Sequence, residues 1–339
     1  MIQKAVKELV AIQEESGAWP YEGVYRVNRE IPVGYRVGGT SLVSGALLHA
    51  ASTEEKAIQA VERGLAFVLK HLDDPLLEIS TEDAYDVRIW GHATALEFLC
   101  QVKAAKAAGS RAKDVDLWIP RLVKVIVGEE LIHGGWNYAG RGQPASFVTA
   151  PVSQALLLAR GQGFEVSRDI LDRAKRVLEE ARADDGAFLY SGQFKSGHAR
   201  ETSDQLAGSC ARAAACESTL RLLGGGSTDA LQAALNAFHA HWAELEKRRK
   251  KTGTHEGPYR IAPYYFYYGH RYAAQAIQLL PEKSRDVERE RLLQVILKTR
   301  DSDGTWNDRV FDRSRAFGTA MVVLALLGDR TPLPPALSR

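Results

Sequence analysis

The sequence contains few of the residues that mark a secreted or membrane-spanning protein. Among its 339 residues there are three cysteines, Cys100, Cys210 and Cys216, a small and odd number that excludes a disulfide framework and favours a reducing compartment. It has no run of about 18 apolar residues that could cross a bilayer. The first residues, MIQKAVKELVAIQEESG, lack the apolar core and the small-residue cleavage site of a signal peptide. We therefore expect a cytoplasmic protein, exported only if a leader peptide has been removed.

An excess of charge of either sign is also missing. The 44 basic and 42 acidic residues give a formal net charge of +2, so we expect neither a nucleic-acid partner nor electrostatic attraction to a membrane surface. The 45% of hydrophobic and 25% of charged residues are ordinary for a globular protein. A chain of this length buries roughly three quarters of its unfolded surface, so a large core needs no covalent staples.

A short unit recurs along the chain: a turn with glycine and an aromatic residue, then a loop, then a helix rich in alanine and leucine. Length alone, at roughly 150 residues per domain, suggests two domains, but a recurring unit indicates a single repeat architecture. The turns are Gly17-Ala18-Trp19, Gly135-Trp136-Asn137-Tyr138, Asp185-Gly186-Ala187-Phe188 and Asp303-Gly304-Thr305-Trp306.

Two kinds of helix alternate around these turns. Segments with one apolar stripe should lie outside and segments apolar nearly all round should be enclosed. The outer segments are about 2–14, 55–71, 115–128, 168–182, 227–248 and 285–299, and the inner ones are 41–50, 94–106, 148–160, 205–223, 268–280 and 316–327. The pattern predicts an all-α fold of six hairpins, an (α/α)6 toroid with inner and outer rings. We expect one domain over residues 1–328 and an extended tail without a core role over 329–339.

The turns carry a family resemblance. Gln13 to Trp19 reads Gln-x-x-x-Gly-x-Trp and resembles the QW motif of squalene and terpenoid cyclases, as do the turns at 134–138 and 303–306. From about Val6 to Leu327 the chain resembles the prenyltransferase and squalene-cyclase repeat family. The resemblance implies the toroid fold and an isoprenoid substrate in its central cavity. The aromatic residues of the turns are interpreted as packing residues between repeats.

This sequence lacks the residues that usually carry the chemistry of the family. Squalene cyclases use an Asp-x-Asp-Asp acid motif, which does not occur in this sequence. Prenyltransferase β subunits bind zinc through Asp, Cys and His, but the matching stretch Ser203-Asp204-Gln205-Leu206 has leucine for the thiolate, and Gly318 stands where the histidine is expected. A rearranged zinc site is disfavoured because Cys210 and Cys216, six residues apart, point to different helix faces. We expect no metal and no other cofactor, and leave open a partner subunit such as those β subunits require.

Loops that lead into the inner helices should gather at one end of the barrel. Their many arginines favour an anionic ligand group, such as a diphosphate, a uronate or a sulfated sugar. The polar residues expected there are Tyr35, Arg36, Asp86, Arg88, His92, Tyr138, Arg141, His198, Arg200, Glu201, Asp204, Arg260, His270, Arg271, Asp308, Arg313 and Arg315.

Three of these residues are the candidate catalytic group. His198, Glu201 and Asp204 are spaced i, i+3 and i+6 at the start of an inner helix. Burial beside a second carboxylate would raise a carboxyl pKa and make Asp204 or Glu201 a general acid. The alternative is structural, because carboxylates at a helix start are stabilised by the helix dipole alone.

The candidate substrate-binding residues centre on a tyrosine-rich segment. Six of the twelve tyrosines lie between Tyr259 and Tyr272, and Tyr264, Tyr268 and Tyr272 are spaced i, i+4 and i+8, as on one helix face. Such a face can stabilise a carbocation by cation–π attraction, stack on a sugar ring, or pack in the core. The predicted binding set is Arg88, His92, Arg141, Tyr264, Tyr267, Tyr268, His270 and Arg315.

Three functions fit the sequence. The first is a terpenoid cyclase-like or prenyl-binding protein that acts on an isoprenoid small molecule, with or without a diphosphate, in the central cavity. The second is a polysaccharide lyase or hydrolase for acidic sugars, with a tyrosine or histidine base and an arginine for the uronate. The third is a non-catalytic binding toroid. The cavity separates them: a deep apolar pocket favours an isoprenoid, an open polar groove a sugar, and a filled centre a scaffold.

Overall fold

The computed structural model describes residues 1–77, 87–138 and 142–337. These residues form twelve α-helices and no strand beyond isolated bridges. The helices are α1 Ile2–Ala11, α2 Val33–Ala50, α3 Glu55–His71, α4 Arg88–Ala104, α5 Ala112–Gly128, α6 Ser146–Gly161, α7 Arg168–Ala181, α8 Leu206–Leu222, α9 Thr228–Glu246, α10 Tyr265–Leu279, α11 Glu282–Lys298 and α12 Ser314–Leu327. Within the described ranges, no helix is long and apolar enough to span a membrane.

The even-numbered helices form a closed inner ring. Each packs against the next, from α2 through α4, α6, α8 and α10 to α12, which returns to α2. Each odd-numbered helix from α3 to α11 packs outside against the inner helix before it, and α1 packs against α12. The predicted (α/α)6 toroid is therefore confirmed.

The two rings differ in composition for a physical reason. Outer helix α7 has one buried stripe, which includes Ile170, Ala174 and Val177. Inner helix α8 is buried along nearly its whole length, and its many alanines allow close packing on every side. A helix with one apolar face can border water, whereas one enclosed on all sides needs small or apolar residues throughout.

The helix α2 begins earlier than predicted. It starts at Val33 rather than near residue 41, although its first turns hold several glycines, which weaken isolated helices. Packing explains the difference: a Cβ on Gly34 would lie 2.8 Å from the carbonyl oxygen of Val87, and one on Gly39 would lie 2.5 Å from that of Trp19. The glycines let neighbouring backbone approach the helix.

The three turn tryptophans connect the outer helices α1, α5 and α11 to the inner helices that follow them. Each indole donates a hydrogen bond to a carbonyl in the last turn of the preceding outer helix, where the regular helical hydrogen bonds end. Each backbone N–H donates to a threonine hydroxyl in the next inner helix. The indole bonds are Trp19 to Leu9 (2.8 Å), Trp136 to Ile126 (2.7 Å) and Trp306 to Ile296 (3.0 Å), and the threonines are Thr40, Thr149 and Thr319. These rings and that of Phe188 are fully buried.

The C-terminal segment crosses the barrel end where the inner helices finish. Its Leu337 N–H donates to the carbonyl of Leu222, the last residue of α8, at 2.7 Å. Pro335 lies against Gly161, the last residue of α6. The Leu337 side chain is buried in the core. This extended segment was expected to have no core role, but its hydrogen bond to the end of α8 holds Leu337 against the inner helices.

Leu337→Ala should lower the free energy of unfolding by about 2 kcal/mol, because it removes a buried side chain from the core. Urea denaturation followed by circular dichroism would measure the change. Leu117→Ala is the matched control, since Leu117 is 49% exposed on α5, and should change stability by less than about 0.5 kcal/mol. Equal effects of the two substitutions would contradict a packed C-terminal segment.

Candidate functional site

A cavity opens between the first halves of five inner helices. Residues of α2, α4, α6, α10 and α12 line it, with Tyr21 and Tyr138 from the loops before α2 and α6. Its empty space, open solvent at the mouth included, is about 850 Å³. From Val87, the residue before α4, to Glu97 within it, the lining extends about 15 Å along the helix axis, at 1.5 Å per residue.

One group of lining rings comes from the start of the chain, α4 and α12. Tyr21 lies 4.6 Å from Phe317 and 5.2 Å from Tyr35, and Trp90 lies 5.9 Å from Tyr35 and 6.2 Å from Phe317, measured between ring centroids. Gly38 on α2 makes room for the indole, since a Cβ there would come within 2.3 Å of the Trp90 ring. The result is a cluster of aromatic surfaces at the cavity wall.

A second group surrounds Phe147 on α6. Its ring lies 5.4 Å from Tyr138 and 6.3 Å from Tyr264. Pro151 follows Phe147 by one helical turn and lacks the N–H that would bond the Phe147 carbonyl. The hydroxyl of Tyr268 donates to that carbonyl instead, at 3.2 Å. The N–H that Pro151 lacks thus leaves a carbonyl of α6 free to hold the Tyr268 ring of α10 at the cavity wall.

The tyrosine hydroxyls near the second group are linked to one another. The Tyr138 hydroxyl lies 3.0 Å from that of Tyr190 and 2.9 Å from that of Tyr264. Burial raises the pKa of Tyr190, and it raises that of Tyr264 well above the usual value of a phenol. These phenols are therefore neutral hydrogen-bonding groups at neutral pH.

Glu97 and Arg271 are the charged residues among the described cavity lining, and both lie at its inner end. An Arg271 Nη2 hydrogen donates to Glu97 Oε1, which also accepts from Gln101 Nε2 at 3.1 Å. Burial acts to lower the pKa of Arg271, but Glu97 and the adjacent Tyr272 outweigh it, and the pKa rises above its usual value. The pair is an internal salt bridge in an otherwise apolar cavity.

A buried carboxyl group lies beside the first aromatic group. Asp308 is fully buried, and its Oδ2 accepts a hydrogen bond from the Tyr21 hydroxyl at 3.1 Å. Arg309 Nε donates to the same hydroxyl at 3.2 Å. Asp308 Oδ1 has no partner among the described residues. Burial raises the pKa of Asp308 to about 7, although Arg309 acts in the opposite direction.

The three predicted catalytic residues do not meet at the cavity. Asp204 Oδ1 accepts from the Tyr190 backbone N–H at 2.6 Å and from Arg212 Nη2 at 3.0 Å. The side chain of Glu201 is 71% exposed and lies 3.3 Å from Arg260. His198 is exposed on the same loop. Only the aspartate is connected to the cavity, through Tyr190.

The seven predicted substrate-binding residues that the structure describes separate into three sets. Tyr264 and Tyr268 line the cavity. Arg88, His92, Tyr267 and His270 are buried outside its lining. Arg315 lies on the surface, 3.5 Å from Asp303. Arg141 lies outside the described residues, as does Asp86 of the wider polar set.

His270 shows why a histidine beside the tyrosines faces away from the cavity. Its Nδ1 lies 2.7 Å from the Phe266 carbonyl, to which it donates, and its Nε2 accepts from Trp242 Nε1 at 3.0 Å. Burial lowers the pKa of His270 to about 4. The ring is a neutral hydrogen-bonded link between α9 and α10.

Several cavity residues were missed by the sequence-based set. Tyr35, Tyr138 and Arg271 of the lining appeared in the wider polar set without a role, as did Asp308, which bonds the lining residue Tyr21. Trp90, Glu97 and Phe317 did not appear as site residues. One signal could have found Glu97: it follows Trp90 by seven residues, two helical turns, and so shares a face with it.

Metal ligands are not clustered in the described part of the chain, where no three His, Cys, Asp or Glu side chains converge on one point. The three thiols are buried, and burial raises the pKa of each to about 12. Neutral buried thiols are poor nucleophiles and poor metal ligands.

No protein-family model and no curated protein matches the chain, but its fold has solved counterparts. The type II terpene cyclase MstE from Scytonema is 16% identical, with 97% of this chain and 96% of that chain covered at a TM-score of 0.57. An MstE variant in complex with its substrate geranylgeranyl dihydroxybenzoate is 15% identical. The match covers 98% of this chain and 96% of that chain, at a TM-score of 0.56.

A second group of counterparts acts on a different substrate. The α-1,6-mannanase of Salegentibacter sp. HEL1_6, in an inactive variant in complex with α-1,6-mannotetrose, is 12% identical, with 96% of this chain and 97% of that chain covered at a TM-score of 0.61. Both enzymes are (α/α)6 toroids. At these identities the similarity establishes the fold alone, and the activity has to be inferred from the residues of the cavity.

Proposed function

We propose that the chain is a terpenoid cyclase-like protein that binds an isoprenoid in its central cavity. The observation that carries the proposal is the lining: two groups of aromatic rings, aliphatic side chains, and a single charged pair at the inner end. A deep apolar pocket is the arrangement that the isoprenoid hypothesis requires, since its affinity comes from burial of hydrocarbon.

The aromatic faces also suit the intermediates of a cyclisation. A carbocation near the face of a tryptophan, tyrosine or phenylalanine ring is attracted by the ring quadrupole. Tyr21, Trp90 and Phe317 bring three such rings together on one part of the wall. MstE, one of the fold counterparts, binds a geranylgeranyl substrate and the product merosterolic acid A.

The fold comparison supports a glycoside hydrolase equally, so the cavity lining has to distinguish between a sugar and an isoprenoid as the ligand. Most glycoside hydrolases place two carboxyl groups on either side of the bond they cleave, about 5–9.5 Å apart. In the described lining there is one carboxylate, Glu97, and it is bound to Arg271. The apolar surroundings of this pair favour the isoprenoid.

Asp308 is our proposed proton source for a cyclisation. Its raised pKa keeps a fraction of the carboxyl protonated near neutral pH, and its hydrogen bond to Tyr21 connects it to the cavity wall. In the structure Tyr21 donates to Asp308 Oδ2. In the proposed step this bond is reversed: the protonated carboxyl donates to the Tyr21 oxygen, and its proton passes there as the Tyr21 proton passes to a substrate double bond or epoxide, leaving Asp308 as the carboxylate. The cyclised cation then loses a proton to water. Product analysis of Asp308→Asn and Asp204→Asn would compare the two candidate acids.

Trp90→Ala should weaken isoprenoid binding by about 10- to 100-fold, because an aromatic side chain buried against a ligand contributes about 1.5–3 kcal/mol. Tryptophan fluorescence or calorimetric titration with squalene, farnesol and geranylgeraniol would measure the dissociation constants, with mannotetraose and an acidic oligosaccharide as competing ligand classes.

The matched control is Trp118→Ala, since Trp118 is a partly buried tryptophan on outer helix α5, away from the cavity. Its isoprenoid affinity should equal that of the wild type. Binding of the oligosaccharides but of no isoprenoid would contradict the proposed function, as would equal losses in the two variants.

A further inference from the structure

The charged pair at the inner end of the cavity has unused hydrogen-bonding capacity. Arg271 and Gln101 both donate to Glu97 Oε1, and no described group donates to Glu97 Oε2. The Nε and Nη1 atoms of Arg271 donate to no acceptor within the described ranges. None of these three atoms is among the fully buried unpaired atoms, so each retains contact with the open space around the pair. An acceptor and donors therefore lie side by side beneath an apolar cavity.

We propose that Glu97 and Arg271 bind the uncharged hydroxyl head group of an isoprenoid alcohol or phenol, in preference to a diphosphate. This inference rests on the proposed function and defines the substrate class of the same site. A hydroxyl both donates and accepts, so one group can donate to Glu97 Oε2 and accept from Arg271. The pair satisfies both requirements of that head group at once.

A diphosphate should bind less tightly to the Glu97–Arg271 pair than a hydroxyl does. It offers acceptor oxygens and several negative charges, and it would bring them next to the Glu97 carboxylate. Arg271 is already neutralised by Glu97, so the pair has no net charge with which to compensate an anion. Like charges at close range are costly where water is scarce. The aromatic cavity thus favours the uncharged head group.

The far side of the pair is closed by the C-terminal segment. Glu97 and Arg271 also line a small polar cleft whose other wall is formed by residues 331–334, with Gln154 and Gln275 between them. The two glutamine side chains bond each other reciprocally at 2.8 Å. The side chains of Arg271 and Glu97 are 14% and 19% exposed, so the head group would lie largely out of bulk water, which strengthens the discrimination between neutral and charged groups.

Three ligands with one hydrocarbon tail test the inference on the wild-type protein. Farnesol, farnesyl methyl ether and farnesyl diphosphate would be titrated while tryptophan fluorescence is followed. We expect farnesol to bind about tenfold or more tightly than either of the others, because the ether has no proton to donate to Glu97 Oε2 and the diphosphate adds repulsion. Equal affinity for the ether, or equal or higher affinity for the diphosphate, would overturn the inference and leave the proposed function in place. If none of the three binds, the proposed function itself fails.

Glu97→Gln tests the same inference from the protein side. The substitution keeps the shape but leaves Arg271 uncompensated, so we expect affinity for farnesyl diphosphate to rise about tenfold and affinity for farnesol to fall. Glu130→Gln is the matched control: Glu130 bonds Arg173 through both oxygens, at 2.8 and 2.6 Å, outside the cavity. That variant should bind all three ligands as the wild type does. An unchanged head-group preference in a folded Glu97→Gln protein would overturn the inference.

Discussion

Asp308→Asn should become more stable than the wild type as the pH rises from about 4 to about 7. In the folded wild type the Asp308 pKa is raised to about 7, whereas an unfolded aspartate titrates near 3.9. Between these values the folded state holds one proton more than the unfolded state, so wild-type stability falls with increasing pH. Asparagine does not titrate, and the stability difference between the two proteins should change by up to about 4 kcal/mol, at about 1.36 kcal/mol per pKa unit.

Urea denaturation of both proteins at several pH values would measure this difference. His92, His239 and His270, whose pKa values burial lowers to about 4, destabilise both proteins as the pH falls below about 6.5. Their contribution cancels in the comparison. A difference that stays constant between pH 4 and 8 would show that Asp308 titrates normally and would remove it as the proposed proton source.

Trp136→Ala should lower the free energy of unfolding by about 3–5 kcal/mol, the usual range for a fully buried tryptophan. The ring is buried, and its indole N–H bonds the Ile126 carbonyl at 2.7 Å, so the substitution leaves a cavity and removes this hydrogen bond. Trp136→Phe keeps most of the volume and should cost about 1–3 kcal/mol for the lost hydrogen bond.

Chemical denaturation would measure the free energy of unfolding of these two variants and of Trp118→Ala. The comparison shows whether the turn tryptophan contributes more to stability than a tryptophan at the surface. Trp118 is partly exposed on α5, and its replacement should cost about 1 kcal/mol or less. If Trp136→Ala were no more destabilising than Trp118→Ala, the turn tryptophan would not be the connection between helices that its hydrogen bonds indicate.

The candidate site was only partly predictable from the sequence. On α10, Tyr264, Tyr268 and Tyr272 share a face by their spacing, and all three line the cavity. Tyr267 and His270 lie within the same segment but face other helices. Because α10 is aromatic and apolar nearly all round, its sequence does not reveal which face borders the cavity. The rotation of the helix within the ring decides it.

The sequence by itself determined the repeated hairpins and the division into outer and inner helices. Those features depend on local chemistry: the apolar period of a helix, the glycine in a tight turn, and the ring that follows it. Only the tertiary structure decided which polar residues meet. Glu97 and Arg271 are 174 residues apart, and Tyr21 and Asp308 are 287 apart. Such pairs form when the ring closes and α12 packs against α2, because closure brings together side chains that no local pattern relates.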